Sequence, residues 1–196
     1  MLKDGYTDIA PGKIAAVVTY LAMTAPPVDL ERPALDLAPL RGDPARYRAL
    51  FRRVGEPWLW FGRAGLSDDA LARIIDDPAV EAYALRHDGA DAGLLELDFR
   101  NPGECELGYF GLVPEATGRG LGRSLMREAI ARAFARPIGR FFVHTCTLDD
   151  PRALPFYIRA GFRPYKRAIE VADDPRLAGA LPMEAAPHCP VLPPQD

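Results

Sequence analysis

Leu112-Val-Pro-Glu-Ala-Thr-Gly-Arg-Gly-Leu-Gly-Arg-Ser-Leu-Met126 carries more structural information than any other stretch of this chain. The apolar run Leu107 to Val113 that feeds it reads as a strand, and glycines at 118, 120 and 122 turn the chain. Leu125, Met126, Ala129, Ile130, Ala133 and Phe134 then recur at helical spacing, so a helix starts directly after the turn. Glycine at alternate positions lets the backbone approach a bulky anion with no Cβ in between. The unpaired N–H groups and positive dipole end of the new helix face the same point. Arg119 and Arg123 add formal charge there. Strand, glycine turn and helix together make a cradle for a pyrophosphate group.

Spacing decides which cradle. A dinucleotide fingerprint G-x-G-x-x-G started at Gly118 puts Arg123 on the third glycine. A Walker A frame read back from Gly122 puts Thr117 on its first glycine and Arg123 on its lysine. Neither fits. Thr117-Gly118-Arg119-Gly120-Leu121-Gly122 instead resembles the [QR]-x-x-G-x-[GA] signature of the GNAT superfamily, with Thr117 in place of Gln or Arg. A second block, Asp149-Asp-Pro-Arg-Ala-Leu-Pro-Phe-Tyr-Ile-Arg-Ala-Gly-Phe162, resembles that family's N-x-x-A-x-x-x-Y-x-x-x-G-F segment. Ala153, Tyr157, Gly161 and Phe162 are in register, and Asp150 replaces the Asn. Physically this block reads as an Asp cap, Pro151 at the first helical position, a short helix, and Gly161 as terminator.

The resemblance covers roughly Pro44 to Val171. It implies an α/β (α+β) fold: a mixed, mostly antiparallel sheet flanked by helices and splayed where coenzyme A enters. The local signals agree. Pro44 to Val54 reads as a helix capped by Asp43, and Asp68 to Ile75 as one capped by Ser67. Val80–Arg86, Gly93–Arg100 and Glu104–Val113 form an antiparallel meander with turns at Asp88-Gly89 and Asn101-Pro102-Gly103. Phe141–Thr147, a Pro151–Ala160 helix and a Phe162–Val171 strand follow. At the start, Tyr6–Ile9 and Ala15–Ala22 read as a hairpin about Pro11-Gly12, and Pro26 to Pro39 as an extended connection. Residues 1–196 are expected to form one domain, with an N-terminal extension 1–42 and an irregular proline-rich surface tail, 172–196.

Composition narrows the class. A chain of 196 residues, 48% of them apolar, can bury one sizeable core. A formal charge of −3 gives no reason to expect nucleic acid or an anionic membrane as partner. Cys105, Cys146 and Cys189 include no C-x-x-C pair, so neither a disulfide framework nor a metal site is indicated. The apolar run Ile14 to Met23 is too short to span a bilayer and lacks a basic leader, so the expected location is cytoplasmic. The proline-rich ends offer surfaces for a homodimer.

The resemblance implies acetyl-CoA as acyl donor and an amine acceptor, either a small molecule or an exposed amine of a peptide or protein. An ammonium group must lose a proton before it attacks a thioester, and a carboxylate on the strand before the cradle can accept it. Glu106, eleven residues before Thr117, stands where histone-type members carry that base; Glu96 and Asp98 are alternatives. Period-two alternation puts Glu104, Glu106, Gly108, Phe110 and Leu112 on one face, and Cys105, Leu107, Tyr109 and Val113 on the other. Tyr157 is the family's candidate acid for the departing thiolate. Backbone N–H groups at Leu112 or Val113, beside a bulge, are expected to meet the oxyanion, and Gly118 through Ser124 with Asp150 to hold the donor. Trp58 and Trp60 are candidates for the acceptor pocket. His144, in an apolar strand, reads as a core histidine, and Cys146 as a small buried hydrophobe. Arg127, Arg132 and Arg136 read as a solvated helix face paired with Glu128. The expected function is acetyl transfer to a primary amine in a ternary complex; the alternative is a non-catalytic acyl-CoA sensor or assembly module.

Overall fold

The computed structural model describes residues 3–194. Seven strands form one sheet: β1 (Lys13–Met23), β2 (Leu37–Pro39), β3 (Val80–His87), β4 (Ala90–Asp98), β5 (Glu104–Leu112), β6 (Arg140–Cys146) and β7 (Arg163–Asp173). Their spatial order is β2-β3-β4-β5-β6-β1-β7. Every neighbouring pair is antiparallel except β5 and β6, which run parallel.

Four helices cover the two faces. On one lie α1 (Pro44–Gly55) and α2 (Asp68–Ile75), on the other α3 (Leu121–Phe134) and α4 (Ala153–Arg159). The caps form as the sequence requires: Asp43 accepts from the Arg46 amide at 2.9 Å and Ser67 from the Ala70 amide at 3.2 Å. Tyr47, Leu50, Phe51, Leu71 and Ile75 bury the first face; Leu125, Met126, Ala129, Phe141 and Phe162 bury the second.

Several expectations are corrected. Tyr6–Ile9 form no strand, and Tyr6 is fully exposed with no apolar surface to cover. β1 pairs instead with β6 and β7, so it is an interior strand. The extended connection ends in β2, and its residues 24–36 cross α3 as a strap: Arg32 donates two bonds to Glu128, at 2.7 and 2.8 Å. The tail is irregular but not a surface tail, because Leu181, Ala185 and Ala186 are buried in the core under α1 and α2. A buried pair fixes its start, with Arg176 bonded to Asp174 at 2.7 Å and to the carbonyls of Ala185 and Cys189. Arg132 pairs with Glu128 as expected, but Arg127, Arg132 and Arg136 are more than a solvated face. Arg132 reaches Glu128 and Glu81, Arg136 reaches Glu81, and Arg127 reaches Glu31, so they brace the helix to β3 and to the strap.

Candidate active site

β5 and β6 pair over only three positions, Glu104↔Arg140, Cys105↔Phe141 and Glu106↔Phe142, and then diverge. The cause lies in β5. Leu97 faces Leu107 while Glu96 faces Tyr109, so Gly108 is an extra residue, a bulge. The bulge therefore sits four residues before Leu112, not beside it. It also breaks the expected alternation: Leu107 packs with the α3 side whereas Tyr109 packs with the α1 side, against Phe51 and Trp60. Glycine is needed here, since a Cβ at 108 would stand 3.0 Å from a Glu96 carboxylate oxygen.

The open edge of β5 is a wall of the cleft. The Val113 amide donates to the Ala92 carbonyl at 2.9 Å, which removes it as an oxyanion donor. Strand alternation turns the Leu112 amide the other way, toward the open edge. On the α3 side the cleft holds a cavity of about 900 Å³, lined by Gly118, Gly120, Gly122 and Arg123, by α4, and by the strap. On the α1 side it holds one of about 440 Å³ lined by Trp58, Trp60, Tyr109, His144 and Glu170. Phe110, Leu112, Thr117, Asp150, Ala153 and Tyr157 line both, so the cavities meet in the split between β5 and β6.

The glycine turn has the expected backbone form. Gly118 and Gly120 adopt φ of +78° and +80°, and a Cβ on either would project into open space. No amide from Gly118 to Gly122 donates to a backbone carbonyl among the described residues. Arg123 lines the cavity and has no ion-pair partner among the described residues, whereas Arg119 turns aside toward Asp88 at 3.7 Å. Val113, Leu121 and Ser124 do not line either cavity; the Ser124 amide is taken by the Gly120 carbonyl at 3.2 Å.

The titratable groups divide clearly. Glu106 does not line a cavity; its Oε1 lies 3.3 Å from Nδ1 of His144, which does. His144 is exposed on its strand, not a core histidine, and the hydrogen bond its ring nitrogen donates to the Glu106 carboxylate raises its pKa above the ordinary 6.5. Glu96 is fully buried, bonded to the Tyr47 hydroxyl and to Arg63 at 2.8 Å, so it is no free base. Asp98 is likewise held by Arg100, which depresses its pKa against the opposing effect of burial. Burial pushes the Tyr157 phenol well above its usual range, and its hydroxyl has no hydrogen-bond partner among the described residues. Cys146 lines the acceptor side, but burial pushes its thiol up to about 11, so it is a protonated thiol rather than a nucleophile.

Two acidic residues precede α4, whose N-terminal cap position is Arg152 rather than the expected Asp150. Asp150 bonds the Arg152 amide at 2.8 Å and clamps its guanidinium, so it closes a turn one residue ahead of the helix. Pro151 lies in that turn and is not helical. Asp149, which sequence reasoning passed over, accepts from Trp60 Nε1 at 3.0 Å, Thr145 Oγ1 at 2.7 Å and the Cys146 amide at 2.8 Å. It ties the aromatic loop 56–66 to the end of β6. Its position next to the second motif is the one signal that points to it.

Residues 47–162 match the model of the acetyltransferase (GNAT) family. The chain belongs to the GNAT acetyltransferase family. Solved structures agree at the level of the fold. A GNAT-family protein of Novosphingobium aromaticivorans is 23% identical, with a TM-score of 0.55 over 84% of this chain and 69% of its own. The IAA acetyltransferase of Bacillus cereus is 18% identical, with a TM-score of 0.53 over 68% and 79%. A tandem GNAT protein from the clavulanic acid biosynthesis pathway is 17% identical, with a TM-score of 0.57 over 81% of this chain and 54% of its own. Several GNAT neighbours are thus longer proteins, of which this chain spans between half and two thirds. No curated protein sequence matches the chain. The open sheet, parted between its two parallel strands and flanked by helices on both faces, is a GNAT fold. Among the described residues no helix is long and apolar enough to cross a membrane.

Proposed function

We propose that the protein transfers an acetyl group from acetyl-CoA, held on the α3 side, to a primary amine entering from the α1 side. The observation that carries this reading is the meeting of the two cavities at Tyr157, whose hydroxyl has no partner among the described residues. A molecule that only bound acyl-CoA would need the first cavity and not the second.

The residues fit the donor. Amides at 118–122 and an Arg123 that have no partner among the described residues, with two left-handed glycines, suit a pyrophosphate. Acetyl-CoA supplies an activated thioester, and the chain supplies position and protons. The Leu112 amide is placed to donate to the thioester oxygen as charge develops there. His144 accepts the ammonium proton, with Glu106 behind it stabilising the imidazolium. This assigns Glu106 a supporting part in the base rather than direct contact. The amine nitrogen forms the new bond to the acetyl carbon and the carbon–sulfur bond breaks; Tyr157 donates its proton to the departing thiolate and regains one from the nitrogen as the amide forms. Its raised pKa keeps it protonated at neutral pH.

The acceptor side favours a cation. Glu170 and Asp149 line it together with Trp58, Trp60 and Tyr109, while Asp150 is neutralised by Arg152 on the same wall, a setting suited to an ammonium group on a short organic frame. The test is calorimetric titration with acetyl-CoA, with NAD as control, followed by thiol release with a panel of primary amines. Micromolar binding and amine-dependent release are expected. Tyr157→Phe should lower turnover about a hundredfold with unchanged donor affinity; equal turnover would remove Tyr157 as the acid.

A further inference from the structure

Residues 27–32 lie outside both motifs and outside the family match, yet Pro27, Val28, Asp29 and Leu30 line the donor cavity opposite α3 and α4. This strap is anchored, not loose. Arg32 forms its two-bond pair with Glu128, which is buried and also holds Arg132, and Glu31 reaches Arg127 at 3.3 Å. Leu30 packs on the core beneath. Beside these anchors Val28 is fully exposed, an apolar side chain at the mouth of the cavity with nothing over it.

From the glycine turn the cavity runs two ways. One branch enters the split at Phe110, Leu112 and Tyr157, the course that brings a thioester to the acceptor side. The other follows α3 from Arg123 to Ile130, roughly 10 Å at helical rise, and ends at Ala160 and the strap. Coenzyme A carries two arms on its pyrophosphate. The pantetheine arm must take the first branch, which leaves the second to the nucleoside. Arg159 lines that branch and has no ion pair among the described residues, a cation ready for an anion.

We propose that the strap is the nucleoside wall of the donor site. Pro27, Val28 and Leu30 pack on the adenine, Arg159 pairs with the 3′-phosphate, and the Arg32–Glu128 pair holds the wall at its spacing. The proposal rests on the donor reading above, and the experiment separates the two. Binding of acetyl-CoA, of its 3′-dephospho form and of S-acetyl-phosphopantetheine, which lacks the nucleoside, is measured for the wild type, Val28→Asp, Arg32→Ala and Arg159→Ala. Val28 is fully exposed, so its replacement leaves folding intact. Val28→Asp and Arg32→Ala should weaken acetyl-CoA by roughly tenfold or more and leave S-acetyl-phosphopantetheine unchanged. Arg159→Ala should weaken acetyl-CoA but not the dephospho form. Wild-type affinity for acetyl-CoA in all three variants, or equal losses for every donor, overturns the wall. A wild type that binds none of the three donors overturns the donor reading itself and the wall with it.

Discussion

His144 and Glu106 show how much one contact changes the reading of a residue. A histidine in an alternating apolar strand reads as core, and a glutamate on the preceding strand as a base. Placed together at 3.3 Å on one face of the sheet, they become a coupled pair with only the imidazole at the cavity. The pair predicts a pH profile. Glu106 raises the pKa of His144, so the neutral imidazole that can accept a proton predominates only above a pH higher than 6.5. The rate with a saturating amine should therefore climb through that higher pH. In Glu106→Gln the climb should move to lower pH while the plateau falls. A plateau and midpoint both unchanged in the variant would detach Glu106 from the base. The sign for stability is the reverse. A raised folded pKa means that the pair contributes fully below pH 6.5 and loses its contribution as the pH rises through the folded value.

At the scale of elements, the glycine turn and α3 were fully legible because their signals are local. Positive φ at Gly118 and Gly120 follows from the turn itself, and the apolar face of α3 from its period. Gly120→Glu should abolish acetyl-CoA binding, since it adds a charge facing the pyrophosphate and costs about 1–2 kcal/mol in left-handed backbone. Retained calorimetric binding would displace the cradle from this turn. The β5 bulge was not legible in position. Its location depends on Glu96 of β4 pressing beneath Gly108, a contact between strands that no single-strand pattern contains. For the same reason alternation assigned Tyr109 and Leu107 to a common face. The proposed strap was read as mere connection because its role arises from Glu128, 96 residues away from Arg32.

Across the whole molecule, a buried polar network joins the acceptor loop to the sheet. Glu96 holds Tyr47 of α1 and Arg63 of the loop, and Arg63 lies over the Tyr109 ring at 5.1 Å. Removing one member strands charge in the core, so Glu96→Ala should cost about 3–5 kcal/mol in denaturant unfolding. It should also raise the apparent KM for the amine through a loosened loop. A loss below about 1 kcal/mol would mean that Arg63 can swing out to water.

By itself the sequence determined the class of fold, the order of its elements from α1 onward, the glycine turn that opens α3 and the family resemblance. All of these rest on neighbouring residues, glycine conformation and hydrophobic period, which act over a few turns of chain. Tertiary structure alone decided the interior place of β1, the buried tail, the strap across α3, the pairing of Glu106 with His144 and the role of Asp149. Each joins segments far apart in sequence, and such contacts are chosen by how whole layers pack, which no local pattern encodes.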